Sequence, residues 1–324
     1  MFKSFIIKVF SLLVAVVLLI PAGRGSRDAY DVKDPEKCRL NFSVLSDAHI
    51  EGNNFNRYKV FEHALQNVKC NKSGNDAVVF LGDNTMNGQS IESMLFYGTL
   101  AQQMKNETVL PVLGNHDVGN GEGNYQKLQA RWYDYMAACV GRKLSHPYYS
   151  DVIDGYYFIV LGMEKQEVHE MYVSDEQFAW LEGELEKAAK SGKPTFVFSH
   201  YPTDDVVDAD GRYTDRLTDL LAEFNKTNDL FCFVGHTHMP LMLFWSFHTS
   251  DGFPEIYLPR LTDLYGENDN EIGKRSGIGI EVEVYETEVT VRGRNFYTGK
   301  WLVDDEDTGE LCEVTYQLKN PVAA

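Results

Sequence analysis

Six short apolar runs limit what this chain can fold into more than any other feature of it. They occupy residues 40–45, 77–81, 109–113, 156–161, 195–199 and 230–234, and each is five or six residues long and rich in Val, Leu, Ile or Phe. That is the length and composition of strands covered on both faces. Between several of them, apolar residues recur every three or four positions. Residues 57–69 carry Val60, Phe61, Ala64, Leu65 and Val68, and residues 216–224 carry Leu217, Leu220, Leu221 and Phe224, the spacing of helices that pack one face on a sheet. Residues 90–104 and 125–139 read as two further helices. Ser174 and Gln177 form a capping box that opens another, which Gly192 and Pro194 stop. Strands alternating with helices predict an α/β domain with parallel strand pairs. Pro111 lacks the N–H that a central strand uses, which weakens the ladder expected around the third run.

Towards the C-terminus the pattern changes. Residues 278–285 and 288–296 alternate apolar and polar side chains across a two-residue joint, Glu286 and Thr287, which predicts an antiparallel hairpin. No linker-like segment interrupts residues 40–303, so this second sheet is expected to share one core with the first. The predicted organisation is a leader at 1–25, a polar linker at 26–39, one catalytic domain at 40–303, and an acidic tail at 304–324 with one strand around residues 312–318.

In the leader, Lys3 and Lys8 precede an apolar stretch over residues 9–20, and Pro21, Ala22 and Gly23 follow. A charged start, an apolar centre shorter than the about 20 residues needed to span a bilayer, and small residues at the end make an export signal cleaved near residues 22–25. An uncleaved membrane anchor is the alternative; both readings place the domain outside the cytoplasm, secreted or extracytoplasmic. After cleavage no membrane insertion is expected. The formal charge of −18 falls to −21 when Lys3, Lys8 and Arg24 leave with the signal. So acidic a chain repels nucleic acid and anionic membranes, and nucleic acid is not an expected partner. Cys38, Cys70, Cys139, Cys232 and Cys312 include no C-x-x-C pair, which argues against a thiolate zinc cluster. Export permits disulfides, and Cys38, before the first strand, is expected to bond Cys70, after the first helix. Asn41, Asn71, Asn106 and Asn225 each open an N-x-S/T triplet, Asn41 inside a predicted strand.

The chemistry lies at the ends of the predicted strands. In order, the exits carry Asp47 and His49; Gly82 and Asp83; Gly114, Asn115, His116 and Asp117; His200; and Gly235, His236 and His238. Exits of parallel strands share one edge of a sheet, so these side chains are expected to converge, and mixed carboxylate and imidazole donors suit a divalent metal. A lone H-x-H pair is as well read as a polar loop; a series at successive exits is not. Five of the nine histidines belong to it, while His63, His146, His169 and His248 have no such setting and read as helix, loop or surface residues. Residues 119–123 are glycine-rich, but no G-K-[ST] follows to make a phosphate-cradling loop.

The ordered set D-x-H, G-D, G-N-H-D, H and G-H-x-H resembles the calcineurin-like metallophosphoesterase superfamily, over residues 40–303. The resemblance implies a four-layer αββα sandwich of two mixed β-sheets flanked by helices, with two metal ions held by the motif loops. Asp47, His49 and His238 would bind the first metal, Asn115, His200 and His236 the second, and Asp83 would bridge both. His116 would be no ligand; it would stand beside the substrate as proton donor to the leaving group or as a stabiliser of the phosphoryl oxygens. Two divalent cations about 3.5–4 Å apart offset phosphoryl charge and turn bound water into a nucleophile near neutral pH, so no serine or cysteine nucleophile is needed. Mixed nitrogen and oxygen ligands suit Mn, Fe, Zn, Co or Ni better than Ca or Mg. Three residues after Asp83, where the superfamily's protein phosphatases carry Asp-Arg and purple acid phosphatases a ligand tyrosine, this chain has Met86 and Asn87. Neither subgroup is favoured, and the pattern is closer to phosphodiesterase-like members.

The reading is an exported dinuclear phosphoesterase that hydrolyses small phosphate esters, diesters or monoesters, by attack of a metal-bound hydroxide. The alternatives are a non-catalytic metal-binding surface protein that retains the fold, and a cytoplasmic nuclease of the same superfamily. His116, which ligation does not need, argues against the first; the leader and the negative charge argue against the second.

Overall fold

The computed structural model describes residues 27–249, 251–262 and 277–322; the leader read at 1–25 lies outside them. In chain order the elements are β1 (Leu40–Leu45), α1 (Phe55–Val68), β2 (Ala77–Phe80), α2 (Ser90–Gln103), β3 (Val109–Pro111), α3 (Tyr125–Tyr135), β4 (Tyr149–Ile153), β5 (Tyr156–Val160), α4 (Asp175–Ser191), β6 (Thr195–Ser199), α5 (Arg216–Asn225), β7 (Leu230–Val234), β8 (Phe247–His248), β9 (Glu255–Tyr257), β10 (Ile278–Val284), β11 (Glu288–Asn295), β12 (Lys300–Trp301) and β13 (Glu313–Gln317). Among the described residues the loops also carry two two-stranded sheets (Met171–Tyr172 with Val206–Val207, and Val303–Asp305 with Glu310–Leu311), a 3-10 turn at His116–Val118 and a short helix at Leu243–Ser246.

Two mixed sheets form. The first runs β12-β11-β10-β1-β2-β3, with β13 also paired to β11. Its β1, β2 and β3 are parallel, and the rest is antiparallel. The second runs β8-β9-β7-β6-β5-β4, with β9, β7, β6 and β5 parallel and antiparallel strands at both edges. Pro111 is accommodated because β3 is an edge strand, which leaves its missing N–H without a ladder partner to disappoint.

The sheets face each other through aromatic side chains. Phe42, fully buried in β1, meets Phe158, Phe196, Phe198 and Phe233 of the second sheet at ring-centroid distances of 4.9–6.1 Å, all edge-on. On the outer side of the first sheet, Phe61 of α1, Phe80 of β2 and Phe96 of α2 make a second aromatic cluster. On the outer side of the second, α4 packs on β5 and α5 on β7. The result is the four-layer αββα arrangement. Helix starts are local decisions: the side chains of Asn54, Asn124 and Ser174 each accept a backbone N–H three residues on.

Several elements depart from the sequence reading. The hairpin β4–β5 was unforeseen, although Asp154 and Gly155, with φ of 48° and 82°, are the Asp-Gly pair that closes tight hairpins. The helix expected over 125–139 stays α-helical only to Tyr135, loosens into a π turn at Met136–Val140, and ends at Gly141. Residues 27–39 are tied down: Tyr30 is buried, its N–H bonds the Cys70 carbonyl at 3.1 Å, and its hydroxyl bonds Glu281 at 2.6 Å. Of the four N-x-S/T asparagines, Asn41, Asn71 and Asn225 are buried and Asn106 is exposed.

The expected Cys38–Cys70 disulfide is not formed; all five cysteines are free thiols. Cys38, just before β1, sits among Glu283, Asp76 and Tyr156, whereas Cys70, two residues past the end of α1, sits near Arg294. Each thiol donates instead to a nearby carbonyl, Leu40 and Gln66, both at 3.3 Å. Burial pushes the Cys38 thiol up to about 12, which keeps it protonated and unreactive.

Candidate metal centre

The exits of β1, β2, β3, β6 and β7 meet at one edge of the sandwich: parallel pairing aligns them within each sheet, and the packing of the two sheets brings the two sets together. Main-chain bonds lock them in register: Asp47 N–H to Gly82 O at 3.2 Å, His49 N–H to Asp83 O at 2.8 Å, and Gly235 N–H to His200 O at 3.0 Å. Leu261 N–H crosses to Ser46 O at 2.8 Å and ties the second sheet's loops to the first. Two glycines permit this closeness. A Cβ on Gly114 would run into the backbone and carboxylate of Asp83, and one on Gly235 would meet Ser46 Oγ and Asp47 Oδ2.

The backbone at the site is strained. Seven non-glycine residues among those described have positive φ, and five of them are Asp47, His49, Asp83, His236 and His238, at 43–63°. Such conformations cost of order 1–3 kcal/mol each and persist where the surroundings over-determine them, commonly at ligand-holding sites.

Two clusters of ligand-type atoms result. In one, Asp47, His49, Asp83 and His238 offer atoms that all lie within 4.8 Å of one another; in the other, Asp83, His200 and His236 do so. The Nε2 atoms of His49 and His238 are 3.1 Å apart, His238 Nε2 is 2.9 Å from Asp47 Oδ1, and His49 Nε2 is 3.5 Å from Asp47 Oδ1 and 3.6 Å from Asp83 Oδ2. In the second cluster His200 Nε2 is 2.9 Å from Asn115 Oδ1 and 3.3 Å from Asp83 Oδ1. Donor atoms bonded at about 2.0–2.2 Å to one ion stand roughly 3.0–3.6 Å apart along the edges of its coordination polyhedron. The spacing therefore fits a metal in each cluster, and the carboxylate of Asp83 belongs to both.

Charge and tautomer point the same way. Burial alone would push the Asp47 carboxyl up, but hydrogen bonds from His238 and His49 outweigh it and hold the group well below the usual carboxylate range. Asp83, equally buried, is held down by the charge of His200, with His49 and His116 adding to it. Burial disfavours a charged His200, yet the Asp83 carboxylate drives it up to about 9. Its Nδ1 is 2.7 Å from Leu81 O, an obligate acceptor, so Nδ1 carries a proton and Nε2 faces the carboxylate. A buried site that recruits a proton onto His200 Nε2 is short of positive charge, and a cation there supplies it. Burial holds His49 and His236 down to about 4, as neutral imidazoles with a lone pair to give. The Nδ1 of His49 is buried without a partner.

His116 adjoins the first cluster without joining it. Its Nδ1 is 2.7 Å from Met86 O, which fixes the proton on Nδ1, and its Nε2 points inward, 3.9 Å from Asp83 Oδ2. All eight predicted site residues thus meet at this edge. His63 and His146 instead stack on Tyr297 and Tyr148, and His248 meets Tyr257 edge-on.

Other contributors carried no recognisable sequence signal of their role. Asp117, fourth in the G-N-H-D motif, accepts from the N–H groups of Asn84, Thr85 and Gly114 and from the side chains of Asn84 and Thr85, at 2.9–3.3 Å. It clips the loop of Asp83 to the loop of Asn115. Arg57 Nη1 bonds His49 O at 3.1 Å and approaches Met86 Sδ at 3.2 Å. Arg260, in the loop after β9, places Nη2 3.1 Å from His238 Nδ1.

Comparison with known proteins agrees. The family model for calcineurin-like phosphoesterases matches residues 40–240. A probable glycerophosphodiester phosphodiesterase of Arcobacter nitrofigilis is 27% identical over 218 residues, covering 62% of this chain and 73% of the relative. Among solved structures, a dimetal phosphatase from Danio rerio superposes with a TM-score of 0.53 at 15% identity, over 80% of this chain and 97% of that one. The purple acid phosphatase PPD1 from yellow lupin (Lupinus luteus) does so with a TM-score of 0.53 at 13% identity, over 81% of this chain and 52% of that one. At such identities the structural likeness speaks for the fold alone, whereas the family model spans most of the domain and every motif at its strand exits. On that match the chain belongs to the calcineurin-like phosphoesterases, and it is a metal-dependent hydrolase of phosphoester bonds.

Proposed function

We propose that the protein is an exported phosphoesterase with a dinuclear centre, acting on small phosphate esters. The observation that carries this reading is the sharing of Asp83 between two ligand clusters, since a bridging carboxylate is the economical way to hold two cations close together. Asp47, His49 and His238 hold the first ion, Asn115, His200 and His236 the second, and Asp83 both. Two divalent ions, when bound, offset phosphoryl charge and activate water.

The chain's own residues do the rest. His200 is oriented by Leu81 O, and Asp47 by Ser46 Oγ and the His236 N–H, at 2.5 and 3.3 Å, so the ligands need little rearrangement on binding metal. His116 is the acid: the Met86 carbonyl holds its Nδ1–H, and Nε2 gives its proton to the departing alkoxide. The name of the Arcobacter relative supports diesters among the substrates. Export follows from the leader, and no nucleic-acid role is proposed for a chain of this charge.

The test is metal content together with hydrolysis of chromogenic mono- and diesters, with Mn supplied. Wild type should turn over at least one class, and Asp83→Asn should abolish metal-dependent turnover. A folded, metal-loaded protein that hydrolyses neither class would refute the reading. Amino-terminal sequencing of protein recovered outside the producing cells tests export, with a start near residues 22–26 expected.

A further inference from the structure

Arg260 stands at the metal centre with no assigned task. It lies beyond the segment matched by the family model, in the loop that follows β9. Its Nη2 is 3.1 Å from His238 Nδ1 and 3.5 Å from His238 Nε2, the atom that faces Asp47. Its Nε is buried without a hydrogen-bond partner, and it forms no ion pair among the described residues. Arg57, the other guanidinium beside His49, likewise has a buried Nε without a partner, but its Nη1 is committed to His49 O and lies 3.5 Å from Glu51. Arg57 thus braces a loop through a carbonyl and a carboxylate, whereas Arg260 meets only the imidazole of His238 among the described residues.

A guanidinium here is hard to explain as charge compensation. Asp47 and Asp83 carry two negative charges, and two divalent ions more than cancel them, leaving about two positive charges in the filled centre. A third cation beside His238 then raises the repulsion, unless an anion arrives with which it can pair. Imidazole is also a poor partner for a guanidinium, whose planar fork matches the oxygens of a phosphoryl group.

Resting on the phosphoesterase reading above, we propose that Arg260 binds the substrate directly, its guanidinium donating to unesterified phosphoryl oxygens on the His238 side of the centre. It swings from the imidazole edge to the phosphoryl group when substrate enters, and it adds an attraction for anionic esters that the acidic surface otherwise repels.

The experiment uses the metal-loaded full-length mature protein, with inorganic phosphate as the probe in calorimetric titrations and metal content measured on the same samples. Arg260→Gln should keep the wild-type metal content and bind phosphate about 10- to 100-fold more weakly, the loss typical of one charge-assisted hydrogen-bonding group. In turnover, KM should rise more than kcat falls. Arg260→Lys, which keeps the charge and loses the fork, should recover part of the affinity. Unchanged phosphate binding in Arg260→Gln overturns the proposal. So does a loss of metal that accounts for the weaker binding, because Arg260 would then only be steadying His238. Both results leave wild-type hydrolysis intact and so spare the phosphoesterase reading; metal-loaded wild type that neither binds phosphate nor hydrolyses esters overturns both.

Discussion

Asp117 offers the sharpest test of how the centre is built, because it touches none of the proposed metals and yet holds two ligand loops together. Its Oδ1 accepts from Thr85 N–H and Oγ1, both at 2.9 Å, and its Oδ2 accepts from Asn84 N–H, Asn84 Nδ2 and Gly114 N–H at 3.1–3.3 Å. The carboxylate is buried. In Asp117→Asn, an NH2 group must replace one of these oxygens and face donors. The milder placement is at Oδ1, where the Thr85 hydroxyl can rotate to accept and only the Thr85 N–H is orphaned. A buried donor without a partner costs about 1–3 kcal/mol. Asp117→Ala orphans three backbone N–H groups, Asn84 Nδ2 keeping its 2.9 Å bond to Val112 O, and the expected loss is about 3–6 kcal/mol after some water enters the gap. At about 2–4 °C per kcal/mol, the Asn variant should melt at least about 2 °C below wild type and the Ala variant well below that. Because the clip joins the Asp83 and Asn115 loops, metal affinity should also fall, by about 10- to 100-fold. Thermal melts of metal-free protein and Mn titrations measure the two effects separately. If Asp117→Ala melts with wild type and binds Mn as tightly, the clip is not what sets the loops.

Three further outcomes are expected. His238→Ala should deplete the first metal site and His236→Ala the second, read as metal stoichiometry with the surviving affinity; loss of the same ion in both variants would contradict the division of ligands. His116→Ala should retain both metals and lose about 10²–10⁴ in kcat, with the smallest loss on esters whose leaving groups need no proton; equal loss on good and poor leaving groups would remove His116 from the acid role. Glu281 concerns stability alone. It is fully buried, with Oε1 bonded by Tyr30 and Ser43 and Oε2 without a partner, and burial pushes its carboxyl up to about 7. Between about pH 4.5 and 7 the folded state therefore holds a proton that the unfolded chain has released, so stability falls as pH rises through this window, by roughly 3 kcal/mol. Glu281→Gln should flatten that slope in urea unfolding of metal-free protein, and an unaltered slope would place its origin elsewhere.

Much of the site was legible in the chain because strand exits are a local matter. An apolar run such as Leu230–Val234 announces its own end, and parallel pairing puts the residues after it beside those after Ser199, just as it puts the residues after Leu45 beside those after Phe80. Asp47, His49, Asp83, Asn115, His116, His200, His236 and His238 could be named for that reason. The β4–β5 hairpin was not read, although the Asp154–Gly155 pair at its turn is a local signal for it.

What the sequence by itself determined was the main helices and the ligand-bearing strands, the order of their loops and the donor types at each. The tertiary structure alone decided the rest. The packing around each thiol separated Cys38, among Glu283, Asp76 and Tyr156, from Cys70, near Arg294, although the two stand at the ends of neighbouring elements. The long-range neighbours of a ligand, Arg260 beside His238 and Arg57 beside His49, come from positions with no periodicity or motif to mark them. The sharing of Asp83 between two clusters is likewise a property of the packed sandwich, because it depends on where two sheets, joined face to face through Phe42 and four opposing rings, bring their loops.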